Sequence, residues 1–202
     1  MGIYNRKDHF YQKAKDDGYA SRSAYKLIEL DKKFSILKPG SLIIDLGCSP
    51  GGWLKVASDH LKKNPQSLIV GIDLKPLTIP VPPACHFIQG DFTDEKIQKE
   101  MTEKINRPVD WVLSDMAPSI TGIHFRDALQ STALCEAAFY FAQNHLKIGG
   151  GLIVKIFPGA EMQELMSGMK KSFQKVTSFI PDATRKTSKE VYLVGKDFRK
   201  NS

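Results

Sequence analysis

The chain has only three cysteines, Cys48, Cys85 and Cys135, and no two of them stand in a CxxC spacing. An odd, scattered set excludes a disulfide framework and a cysteine zinc site as the basis of the fold. It fits reduced, partly buried thiols, and a cytoplasmic location is expected. His9, His60, His86, His124 and His145 show no ligand spacing either, so no metal is expected. Long apolar runs are missing. The longest, Ser67–Leu74 and Gly151–Phe157, fall far short of the ~20 residues that a bilayer span requires, which excludes a membrane protein. The N-terminus has no apolar signal core, and Arg6 stands where a myristoylation signal needs Ser or Thr. Repeats, low-complexity tracts and linkers are absent. Residues 1–202 therefore read as a single domain, expected to be monomeric, with 1–20 as a basic N-terminal arm.

What is present is enough apolar material to fold. Apolar residues make up 42% of the 202 and charged residues 25%, which excludes general disorder. The net charge is +7, and its distribution is uneven. Residues 1–40 carry +4, residues 41–160 carry −1, and residues 161–202 carry +4. A basic balance suggests an anionic partner, most often nucleic acid. Here the excess lies at the two ends, around Arg6, Lys7, Lys13 and Arg22 at one and Arg185, Lys186 and Lys189 at the other. These are the candidate RNA-binding side chains.

The hydrophobic pattern predicts a loose or helical arm over the first 19 residues. A helix follows from a Ser21 cap to about Leu37, where Pro39-Gly40 stops it. Strands are predicted at Ser41–Leu46, Ser67–Asp73, Cys85–Gln89, Val109–Asp115 and Gly151–Phe157, with two more at Phe173–Phe179 and Val191–Gly195. Helices are predicted at Trp53–Lys62, Asp94–Ile105, Asp127–Leu146 and Met162–Lys171. Continuous apolar strands alternating with amphipathic helices give a mostly parallel seven-stranded sheet covered on both faces, an α/β fold. The last two strands have no helix between them and are expected to be antiparallel. Ligands of such sheets bind beyond the carboxyl ends of the strands, near the switch in strand order.

That rule directs attention to Asp45-Leu-Gly-Cys-Ser-Pro-Gly-Gly-Trp53. A strand ends in an acidic residue, turns through Gly47 and enters a helix after Gly51 and Gly52. It is not the GxGxxG dinucleotide fingerprint, and Pro50 interrupts the usual phosphate cradle. The acidic end at Asp45 argues against pyrophosphate and for a cationic or hydroxyl-bearing ligand. Asp73, at the end of the second strand, is placed to take ribose hydroxyls. Asp91, after the third, is placed to accept from an adenine amino group. Together these describe an adenosine with a positive centre and no phosphates, which is the character of S-adenosylmethionine. The competing reading is that the glycines merely make a turn.

Lys155 lies inside the apolar strand GLIVKIF. Burying an ammonium there costs several kcal/mol unless it is paired or neutralised. A desolvated lysine has a lowered pKa and can act as a general base. Asp115 ends the neighbouring strand and is a candidate partner, with Glu190 opening the last strand and Lys26 bordering the apolar stripe of the first helix. The alternative is a stabilising Lys155–Asp115 ion pair with Lys26 as an ordinary surface lysine.

These segments, SRSAYKL, DLGCSPGGW, GIDL, QGDF, SDMAP with TG, GGGLIVKIF and TSKEVYLV, stand in one order from about Asn5 to Lys196. In that order the chain resembles the FtsJ/RrmJ family of ribose 2′-O-methyltransferases. Within it, the compact bacterial and mitochondrial type, which acts on a uridine in the A-loop of large-subunit rRNA, is the nearest likeness. The resemblance implies a Rossmann-like S-adenosylmethionine-dependent fold and a catalytic tetrad of Lys26, Asp115, Lys155 and Glu190. It places the cofactor at Gly51, Trp53, Asp73, Asp91 and Asp115. Asp45, Gly47 and Gly52 join that set from the turn itself. The implied partner is large-subunit rRNA in an assembled or assembling ribosomal subunit. Ala20, Ser119 and Lys189 depart from the family pattern, which bears on RNA contacts more than on chemistry. In the implied mechanism Lys155, kept partly neutral by burial and by Lys26, takes the proton of the ribose hydroxyl. A tRNA anticodon-loop or mRNA cap methyltransferase is the alternative within enzymes. A non-catalytic RNA-binding ribosome assembly factor is the alternative outside them.

Overall fold

In the computed structural model, residues 9–118, 122, 124–185 and 187–200 are described. Seven strands form one sheet: β1 (Leu42–Leu46), β2 (Leu68–Asp73), β3 (Cys85–Gln89), β4 (Val109–Ser114), β5 (Leu146–Ile156), β6 (Phe173–Phe179) and β7 (Val191–Phe198). Their order is β3-β2-β1-β4-β5-β7-β6. The first five run parallel, and β7 pairs antiparallel with both β5 and β6. The direction of strand order reverses between β1 and β4, which puts the switch point there.

Six helices accompany the sheet: α1 (His9–Asp16), α2 (Ala24–Phe34), α3 (Gly52–Leu61), α4 (Glu95–Lys104), α5 (His124–His145) and α6 (Ala160–Ser172). Alternation along the strands divides the core in two. Leu42, Ile44, Leu46, Val112, Leu152 and Val154 pack with α4, α5 and α6. Ile43, Ile69, Leu113, Ile153 and Val194 pack on the other face, against Leu27, Leu30 and Phe34 of α2 and against Leu54 and Val56 of α3. By the same alternation, Asp45, Asp115, Lys155 and Tyr192 belong to the α2/α3 face.

Several boundaries differ from the sequence expectation. Ser21 does not cap α2. Its hydroxyl pairs with that of Ser23, 2.6 Å away, and the helix starts at Ala24. The helix stops at Phe34 rather than Leu37 because Ser35 turns left-handed, at φ 57°. Ile36 and Leu37 still reach the core, since the Asp31 carboxylate accepts from both of their amides, at 2.8 and 2.7 Å. This extends the apolar pattern beyond the helix. β5 begins at Leu146 rather than Gly151, with a register shift opposite Val109 and Trp111. β7 runs on to Phe198, which pairs with Phe173. At α4 the Asp94 side chain accepts from the Lys96 amide at 2.8 Å, so it caps the helix instead of forming its first residue. Among the described residues no helix is long and apolar enough to cross a membrane.

Candidate active site

A cavity of about 440 Å³ opens at the switch point, lined among others by Gly47, Asp73, Gly90, Asp91, Met116 and Leu134. Its walls are therefore the loops that follow β1, β2, β3 and β4, completed by α5. Gly47 is required here by its conformation and by its neighbour. Its φ is 79°, and a Cβ would lie 2.8 Å from the Met116 amide nitrogen. The Asp73 carboxylate is aimed by two loops, accepting from the Ser49 amide of the turn after β1 at 2.9 Å and from the Lys75 amide of its own loop at 2.8 Å. Asp91 accepts from the Thr93 hydroxyl at 2.7 Å and from the Thr93 amide at 2.8 Å. These two bonds hold its carboxyl below the usual carboxylate range against a small opposing effect of burial.

Other expected cofactor residues lie off this wall. Gly52 serves helix packing, since a Cβ there would come within 2.7 Å of the Ser21 hydroxyl on the approach to α2. Gly51, at φ 112°, turns the chain into α3. Trp53 is buried and donates from its indole to the Ser23 carbonyl at 2.8 Å. Asp45 sits beneath the turn, 2% exposed. Neither of its oxygens has a hydrogen-bond partner among the described residues. Burial, and then the charges of Asp115 and Asp73, push its carboxyl well above the ordinary range. A buried acidic group with nothing to balance it, next to a cavity rimmed by other carboxylates, favours a positively charged occupant.

The four tetrad candidates come together at the same sheet edge. The Lys155 ammonium lies 2.8 Å from the Asp115 carboxylate and donates to the Asp115 carbonyl at 2.6 Å. Lys26, from α2, pairs with Glu190, just before β7. Burial works to raise the Asp115 carboxyl, but the charges of Lys155 and Lys26 and two side-chain hydrogen bonds outweigh it, so the group is held below its ordinary value. One of those bonds comes from Tyr192, which sequence reasoning missed. Its hydroxyl donates to Asp115 at 2.7 Å. Its ring lies 5.7 Å from the Lys26 ammonium and 6.0 Å from the Trp53 ring. Tyr192 also stands directly opposite Lys155 across the β5–β7 ladder. The available signal was strand alternation, because Tyr192 is two residues beyond Glu190 and faces the same way.

Within the described residues, the two basic stretches meet at this edge. Arg22 donates to the Ala183 carbonyl in the loop between β6 and β7. Glu29, another residue missed in the sequence, accepts from the Asp182 and Ala183 amides at 2.6 and 3.0 Å, fastening that loop to α2. Lys13 and Lys189 are exposed, and Arg185 is partly buried. Arg6, Lys7 and Lys186 lie outside the described residues. Among the described residues, no group of three or more histidine, cysteine or acidic side chains could hold a metal ion.

Comparison with known proteins gives a consistent family. The profile of the FtsJ-like methyltransferases matches residues 19–198. A protein of Desulfatibacillum aliphaticivorans named ribosomal RNA large subunit methyltransferase E is 44% identical over 189 residues, 94% of this chain and 89% of that one. A protein of the same name from Syntrophobacter fumaroxidans is 40% identical over 198 residues, 98% of this chain and 99% of that one. Among solved structures, a Plasmodium falciparum protein described as a ribosomal RNA methyltransferase is similar at a TM-score of 0.77 and 36% identity, covering 89% of this chain and 98% of that one. A Streptococcus mutans methyltransferase structure with S-adenosylhomocysteine shares the fold, at a TM-score of 0.52 and 14% identity, covering 85% of this chain and 97% of that one.

Proposed function

The chain belongs to the FtsJ-like methyltransferase family, and on that premise we propose that it methylates a ribose 2′-hydroxyl of large-subunit ribosomal RNA, with an A-loop uridine as the target. The observation that carries this reading is the Lys155 amine, set in a buried strand and joined through Asp115 and Tyr192 to the Lys26–Glu190 pair. Proton abstraction from an unactivated hydroxyl needs a basic group held at one place. A cavity suited to a cationic adenosine adjoins it.

S-adenosylmethionine fits that cavity, since Asp45 is a buried acidic group without a partner among the described residues and Asp73 and Asp91 are fixed acceptors on the wall. When bound, it supplies an electrophilic methyl group. Asp73 would hold its ribose hydroxyls and Asp91 its adenine amine. Lys155, in its neutral amine form, takes the proton of the RNA 2′-hydroxyl. Asp115 orients Lys155, and Tyr192 fixes the Asp115 rotamer. Lys26 and Glu190 hold the acceptor ribose. Most of the acceleration then comes from positioning, because the methyl donor is already activated.

Mapping ribose methylation in rRNA from a strain lacking the gene tests the target. Loss at one A-loop uridine, restored by the wild-type chain, supports the reading. An unchanged large subunit with a loss in tRNA would transfer the activity to the anticodon loop.

Asp45→Asn is expected to separate stability from donor binding. A carboxyl whose folded pKa is raised contributes full stability below the ordinary carboxylate range and loses it as pH rises from there toward the folded value. Removing that group should raise the urea midpoint of the ligand-free protein at pH 7 relative to pH 4. It should also weaken S-adenosylmethionine roughly tenfold, about 1.4 kcal/mol, because a bound cation draws the carboxyl into its charged form and an amide cannot follow. Urea titrations at the two pH values and calorimetric donor binding check both halves.

A further inference from the structure

Trp53 lies in the first turn of α3, directly after Gly51 and Gly52. Its place in the chain suggests a contact with the donor, yet its side chain points elsewhere. The indole is 3% exposed and is not part of the wall of the 440 Å³ cavity. Its N–H donates to the Ser23 carbonyl at 2.8 Å. The same carbonyl accepts from the Lys26 amide at 3.0 Å. The indole therefore pins the turn of backbone from which the Lys26 side chain leaves. A buried N–H is costly to leave without its acceptor, so this contact holds its geometry.

A second contact reaches the far end of the same lysine. The Trp53 ring lies 6.0 Å from the Tyr192 ring, at an interplanar angle of 32°. The Lys26 ammonium lies over that Tyr192 ring, 5.7 Å from its centroid, and pairs with Glu190. Gly52 lets the two segments approach, since a Cβ there would meet the Ser21 hydroxyl at 2.7 Å and the Ser23 hydroxyl at 3.2 Å. Lysine carries its charge on a flexible four-carbon stem. Its ion pair with Glu190 does not by itself decide where the start of α2 sits. The indole does, because it belongs to the turn that follows β1.

We propose that Trp53 is a positioning residue for the acceptor side of the reaction: its indole N–H holds the first turn of α2, and with it Lys26, at a fixed distance from the donor turn. This rests on the ribose methyltransferase reading, in which Lys26 holds the acceptor ribose. Donor turn and acceptor-holding lysine are then one rigid unit. Such a unit matters because a misplacement of about 1 Å between reacting groups can cost about 100-fold in rate.

Two measurements test this. Trp53→Phe deletes the N–H and keeps a ring beside Tyr192. With large subunits from a strain lacking the gene as substrate, kcat should fall roughly tenfold, while donor affinity by calorimetry stays within about twofold. In a Lys26→Ala background the same substitution should change the already slowed rate by less than about twofold. A tryptophan that merely stabilised the fold would slow both backgrounds alike. Equal losses in both, or no loss in the chain that keeps Lys26, would overturn the proposal. If Lys26→Ala alone left methyl transfer unchanged, the reading on which the proposal stands would fall instead. The second measurement leaves Trp53 in place. The chain has two tryptophans and hence two indole N–H resonances. Lys26→Ala should shift the Trp53 resonance and speed its hydrogen exchange, and leave Trp111, which packs on Gly151, unmoved. A Trp53 resonance unchanged in both shift and exchange would overturn the proposal, even where the phenylalanine variant failed to fold.

Discussion

Lys155→Met should lower single-turnover methyl transfer by about 100- to 10,000-fold, the range for loss of a positioned general base. Methionine keeps the length and apolar stem of the side chain, so β5 can retain its packing between Ile153 and Ile156. What disappears is the amine 2.8 Å from Asp115. S-adenosylmethionine should still bind, because the cavity walls of Gly47, Asp73 and Asp91 do not include Lys155. Donor affinity by calorimetry and methyl transfer to large subunits are the paired measurements. Near-wild-type turnover with intact donor binding would remove Lys155 as the base. If the chain were a binding module that used the cofactor only structurally, the variant would lose nothing in subunit binding and there would be no turnover to lose.

The prominence of Lys155 in the sequence has a simple cause. An ammonium in an otherwise apolar strand stands out against its neighbours, and so does an acidic residue at a strand end. Five strands were legible for the same reason, since β1, β2, β4, β5 and β7 are runs of buried aliphatic residues. Less legible were features set by contacts between distant segments. Glu29 reads as one more charge on a helix, yet its carboxylate closes the loop over α2 by accepting two amides more than 150 residues away. Tyr192 reads as an ordinary strand aromatic, and only the β5–β7 register puts its hydroxyl on Asp115. Gly52 and Trp53 carry the signal of a ligand-binding turn, but in the fold they contact Ser21 and Ser23 of the α2 entry. The turn thus does two jobs, one toward the cavity through Gly47 and one toward the helix that carries Lys26. The excess at each end of the chain already marked candidate RNA-binding side chains along the sequence, and the fold brings α2 and the loop before β7 to one edge.

Asp115→Asn should cost about 3 kcal/mol of stability as well as most of the activity, and the two losses should separate in a double variant. The Asp115 carboxylate receives the Lys155 ammonium and the Tyr192 hydroxyl in a site where the lysine side chain is only 9% exposed. An asparagine still accepts from Tyr192, but it leaves the ammonium facing a neutral amide and the Asp115 backbone carbonyl. Breaking one side of a buried pair is costly because the remaining charge is stranded. The pH dependence follows from the depressed carboxyl. Its contribution is present in full above the ordinary carboxylate value of 3.8 and is lost as pH falls from there through the lower folded value. Asp115→Asn should therefore lose more stability at pH 7 than at pH 2.5, measured by urea midpoints. Combining it with Lys155→Met removes both charges, and the double variant should be more stable than Asp115→Asn alone by about 1 kcal/mol or more. Its methyl transfer should stay at the level of Lys155→Met. A double variant no more stable than Asp115→Asn would mean that the ion pair does not set the stability of this edge. A double variant that regained turnover would mean that the pair is structural and that the base lies elsewhere.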